Sequence, residues 1–209
     1  MYKIDWTEEN PEHVPKLLAK LSPKIEGVEF DPNTTVVHRH DLPFYADYDL
    51  LKLSDSTQEP AIEKLILTNG ENVHVMNWTN QPIYAVNENA PIHITDETAP
   101  AYVKFFFDHV RGRHGRFLIV EKPEEINWKG EPPEKGMKAL QKMITPMQKI
   151  DVNDDGTINM SAYMIFKDSL FKATVHIEKD GMVSLSDEQL VVEGMPIIED
   201  PAPGENFAA

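Results

Sequence analysis

Cysteine is absent from this chain of 209 residues, which removes disulfide frameworks, thiolate zinc sites and cysteine nucleophiles at once. Positive charge is scarce too: 20 Lys and Arg stand against 35 Asp and Glu, for a formal charge of −15. An excess of that size repels phosphate backbones, so no nucleic-acid partner is expected. Long apolar runs are also missing. None approaches the roughly 18 residues of a membrane span, and the opening stretch Met1-Tyr-Lys-Ile-Asp-Trp6, followed by Glu8, Glu9 and Glu12, lacks the apolar core of a signal peptide. A cytoplasmic protein with no membrane association is the expectation, and the Asn-x-Thr triplets at Asn33 and Asn77 then count as chance matches.

What is present is a hydrophobic content of 41%, distributed in short runs between turn signals, as in a folded chain rather than a disordered one. A chain of this size buries about 70–75% of its unfolded surface. It therefore needs no metal or cofactor to hold its core, and none is expected.

Periodicity supplies the elements. Asn10-Pro11 opens a helix over about 11–21, with Val14, Leu17, Leu18 and Leu21 on one face. The stretches 34–40 and 48–53 read as strands, and 65–67 with 73–76 read as a hairpin around Asn69-Gly70. Residues 82–86 and 92–94 suggest one further strand each. A second helix begins near Thr95 and carries Val103, Phe106, Phe107 and Val110, with Gly112 as its cap. Residues 116–121 follow as a strand suited to the middle of a sheet, and a third helix is expected over about 133–145. Alternation at Ile158, Met160, Ala162 and Met164, at Phe171, Ala173, Val175 and Ile177, and at Val183 and Leu185 predicts a β-meander. The expected fold is α+β: an antiparallel or mixed sheet with a C-terminal β-meander packed against about three helices. One compact domain over 1–193 is expected, with a possible sub-boundary in the Pro- and Glu-rich loop 123–133 and an extended, Pro-rich acidic tail over 194–209.

Three constellations bear on chemistry. His38-Arg-His40-Asp41 would place two imidazoles on one face of a strand, with Asp41, His74 and His93 as completing metal ligands. Two surface-strand histidines near an arginine explain the same residues without a metal, and this plainer reading is preferred. Asp151, Asn153 and Asp155, ahead of Gly156 and Asn159, match the first nine positions of a calcium loop, but the twelfth, where a bidentate Glu belongs, is Ala162. A tight Asp-Asp-Gly turn between two strands accounts for them better. Finally, three of the four arginines fall within six residues, Arg111-Gly-Arg113-His114-Gly-Arg116. Planar guanidinium forks with flanking glycines suit an anion or an acidic partner. The competing role is to offset the negative end of the preceding helix dipole.

No nucleophile elbow, Walker loop, dinucleotide fingerprint or His-Glu-x-x-His motif occurs. The expectation is a non-catalytic binding or accessory protein that acts through protein–protein contacts, with a protein partner or as a homo-oligomer. The alternative is a metal-dependent enzyme or small-ligand binder using the His-x-His strand.

Overall fold

The computed structural model describes residues 5–198. It is an α+β protein with two antiparallel sheets, and the chain divides into two compact units, one running to His93 and the other beginning at Ile94. The division does not fall in the loop 123–133. That loop is pinned inside the second unit: Pro123 and Ile126 are buried, the Trp128 indole donates to the Pro123 carbonyl at 3.2 Å, and Trp128 bridges to Ile197.

The N-terminal unit is a five-stranded antiparallel meander in chain order: β1 (Thr7–Glu8), β2 (Val36–Asp41), β3 (Asp49–Asp55), β4 (Ile62–Thr68) and β5 (Val73–Val75). Alternation sends Val37, Leu51, Leu53 and Ile66 to one face. There they meet α1 (Val14–Leu21), which applies Val14, Leu18 and Leu21 to them. The helix starts three residues later than the Asn-Pro signal implies, because Asn10 initiates a turn in which its own side chain accepts from the Glu12 amide at 3.0 Å. The Asn69-Gly70 hairpin forms as expected, with Thr68 opposite Val73.

Residues 82–86 are not a strand. They lie in α2 (Gln81–Asn89), which packs on β4 and β5 through buried Pro82, Ile83 and Val86. Proline in the first turn of a helix gives up an amide that has no partner there, whereas in a strand it would break the ladder. Ile92 makes a single bridge, to Tyr45.

In the C-terminal unit β8 (Ile158–Phe166), β9 (Ser169–Ile177) and β10 (Val183–Val192) form the expected meander. The opposite flank of β8 is shared: β7 (Gln148–Val152) pairs with its first half and β6 (Phe117–Val120) with its second. Hence β6, apolar throughout, is an edge strand rather than a central one. The pairs Ile158 with Ile177, Met160 with Val175 and Ala162 with Ala173 form one apolar face. On that face lies α3 (Ala99–His109), joined by the Phe107–Phe117 ring contact and by the Tyr102 hydroxyl, which donates to the Gly181 carbonyl at 2.5 Å.

The helix ends at His109, where β-branched Val110 turns extended, so Gly112 is not its cap. Instead Gly112 and Gly115 exchange backbone hydrogen bonds of 2.9 and 3.2 Å around Arg113-His114. The far end of the other sheet face is covered by α4 (Glu134–Met143) and by Met195 and Ile197, which join Val120, Ile126, Ile165 and Leu170 in one core cluster. Residues 195–197, expected in the tail, are thus part of the core; the rest of the tail, from 199, lies outside the described residues. Among the described residues no helix is long and apolar enough to cross a membrane.

Candidate functional site

The arginine-rich segment occupies the connection from α3 to β6. Because the Gly112–Gly115 turn is tight, Arg113 and His114 sit at its tip and Arg111 and Arg116 at its two feet. Arg111, His114 and Arg116 line a hollow of about 70 Å3 together with Lys167, Leu118, Ile165 and Ile198. Arg113 does not line it. Arg116, Leu118, Ile165 and Ile198 also line a larger neighbouring cleft of about 370 Å3, whose walls add Asp108, Val120, Ile126 and Ile197 and, at its far end, Glu124 and Glu125. The two hollows form one trough along β6, apolar at its floor, cationic at one end and acidic at the other.

Two charged groups sit in that wall. One guanidinium nitrogen of Arg116 donates to the Asp108 backbone carbonyl at 3.0 Å. Burial pushes the Asp108 carboxyl up to about 6, against the pull of Arg116 and Lys104. Burial also lowers Arg116, which Asp108 partly offsets. A half-buried carboxyl and a half-buried guanidinium at a cleft wall are a frequent mark of a functional surface. The acidic end is already engaged: Glu125 accepts from the Glu121 amide at 2.8 Å, and Glu124 accepts from the Gln141 side chain at 3.1 Å. Sequence reasoning missed Asp108 and Lys167, because the turn after α3 brings Arg116 back to Asp108 and the pairing of β6 with β8 brings Lys167 beside the arginines. The fourth arginine, Arg39, is held in the first unit by Asp49 and by Glu9 at 3.4 Å.

The histidine pair does not assemble a metal centre. His38 and His40 do share a face of β2, but Asp41 alternates to the opposite face. His74 lies in the same cross-strand row as His40, with Leu50 and Leu67 between them. Three strand spacings separate the two, about 14 Å, too far for one ion. His40 instead has its Nδ1 3.1 Å from the Asp5 carbonyl and its ring beside Trp6, and burial lowers the pKa of His74. His93 is not in the row; its amide donates to the Phe44 carbonyl. Among the described residues no three His, Asp or Glu side chains converge as a metal site would require.

The calcium-like segment is the β7–β8 turn. The Asn153 amide donates to the Thr157 carbonyl at 2.9 Å, Asp155 accepts from the Thr157 amide at 2.8 Å, and Gly156 has φ +88°. Asp151 and Asn153 direct their oxygens at the Asn159 side-chain amide, at 2.5 and 2.9 Å. Those oxygens therefore already have a donor, and the segment is explained as a turn.

Compared with models of protein families, with curated proteins and with solved structures, the chain matches none of them.

Proposed function

We propose that this is a cytoplasmic binding or accessory protein that acts through protein–protein contacts, with the β6 trough as its recognition surface and an extended, acidic segment of a partner protein as its occupant. The observation that carries this reading is the coincidence of an apolar floor, an edge strand and four cationic or imidazole side chains, Arg111, His114, Arg116 and Lys167, in one trough of a protein that is otherwise strongly negative. An added strand along β6 offers main-chain hydrogen bonds, the apolar floor takes alternate side chains, and Arg111, His114, Arg116 and Lys167 meet a carboxylate. Charged lips of this kind chiefly set orientation and encounter rate, so binding weakens as salt screens them.

The test is fluorescence anisotropy with a labelled peptide that alternates Glu with Val. Binding is expected to fall at least about tenfold in an Arg111→Glu, Lys167→Glu double variant, a loss of roughly 1.4 kcal/mol, and to be unchanged in Arg113→Glu. Equal loss in both variants, or no binding by the parent protein, refutes the reading. A second copy of the chain is the other acidic partner available. In that case the double variant shifts a dimer to a monomer in light scattering.

A further inference from the structure

On the sheet face that carries the Asp151 cluster, a row of polar residues crosses four strands: Asp151 opposite Asn159, Asn159 opposite His176, His176 opposite Ser184, with Ser186 one step along. The hydrogen bonds in this row have a direction that the residue types impose. An ionised Asp151 only accepts, so the NH2 of Asn159 must face it, at 2.5 Å, and the Asn159 oxygen is turned toward His176. That oxygen lies 2.6 Å from His176 Nδ1, which must therefore carry the ring proton. The neutral ring then presents a lone pair at Nε2, 2.7 Å from the Ser186 hydroxyl. Two acceptors compete for the one Ser186 proton, Nε2 at 2.7 Å and the Asp187 carboxylate at 3.1 Å.

We infer that Ser186, His176 and Asn159 form a serine acyl-transfer site, with Ser186 as nucleophile, His176 as general base and Asn159 as the positioning residue that holds the productive tautomer. The order of contacts is that of a nucleophile, its base and the group that orients the base. A second observation sits beside the nucleophile. Asp187 adopts φ +53°, and the register breaks there, so that Asp187 and Glu188 together stand opposite Ala173. Left-handed backbone at a residue other than glycine is costly, and bulges re-aim side chains next to reactive positions. Asn159 is buried while His176 and Ser186 are half-exposed, which suits a small carboxylic ester.

Each step balances. The Ser186 oxygen bonds to the ester carbonyl carbon as its proton passes to Nε2; the carbon–alkoxide bond breaks and the leaving alcohol takes that proton. Water then adds to the acyl-serine, gives its proton through Nε2 to Ser186, and releases the acid.

Labelling with a fluorophosphonate probe, with hydrolysis of p-nitrophenyl acetate as the second readout, tests this on the full chain. Stoichiometric labelling is expected. Ser186→Ala should abolish it, and His176→Ala should slow it at least about a hundredfold. Asn159→Ala should slow it about tenfold or more, by releasing the tautomer, and should alter the pH profile. Asp187→Asn should speed it several-fold by exchanging the charged competing acceptor for a weaker, neutral one, an effect that a purely structural network would not give. Should His176→Ala fail to fold, Ser186→Ala and Asp187→Asn decide the matter alone. Absence of labelling in the parent protein, or equal labelling of Ser186→Ala, overturns the assignment. Neither result touches the β6 trough, which shares no residue with this site.

Discussion

Replacing Asp108 by Asn should remove the pH dependence that this one carboxyl imposes on the C-terminal unit. In the folded unit the carboxyl titrates near 6, raised by burial from an ordinary value of 3.8. Between those two values the folded state holds a proton that the unfolded state has released, so stability falls as pH rises from about 4 to about 6 and changes no further above that. The shift corresponds to about 3 kcal/mol at most, and partial exposure and the nearby Arg116 reduce what is realised to about 1–2 kcal/mol. Asparagine carries no titrating proton and is close in shape to the protonated acid. At pH 4 parent and variant should therefore be near each other in stability, and at pH 8 the variant should be the more stable by that amount. Urea unfolding read from the amide resonances of β8 and β9, at pH values from 4 to 8, measures the difference. A gap between the two proteins that stays constant over this range would refute the assignment of a raised carboxyl at the cleft wall.

Other consequences are simpler. Asp55 accepts from Thr57 and Thr34 hydroxyls at 2.7 Å each, which hold its carboxyl down at about 2; its contribution is complete above about pH 4 and lost as pH falls toward 2, so Asp55→Asn should flatten acid unfolding of the N-terminal unit, as seen by circular dichroism. Gly156→Ala should destabilise the β7–β8 turn by about 1 kcal/mol, since φ is +88° there and a Cβ would stand 2.1 Å from the Lys179 side chain, which must move aside. Tyr102→Phe should cost about 1–3 kcal/mol in urea unfolding, because it removes the donor to the Gly181 carbonyl from a fully buried side chain.

The amino-acid sequence by itself determined the elements whose pattern is local. Alternation at 158–164 and 171–177 has only one burial-compatible solution as paired strands, Asn69-Gly70 specifies its hairpin, and the spacing of Val14, Leu18 and Leu21 specifies a helix face. It also marked the arginine cluster, because three of the four arginines follow one another between 111 and 116. Tertiary structure decided what depends on partners distant in the chain. Residues 82–86 are apolar enough for a strand; Pro82 favours the first turn of a helix, and packing against β4 and β5 buries that helix's apolar face. An apolar run such as 117–120 reads alike at the centre or the edge of a sheet, and among the described residues it pairs with β8 alone, which puts it at the edge. His40 and His74 look equally eligible as ligands until register places two strands between them, and Asn159, His176 and Ser186 carry no motif at all because cross-strand neighbours have no fixed spacing in sequence. Periodicity is a property of one segment, whereas register, edge and burial belong to pairs of segments, and those are settled only when the chain closes on itself.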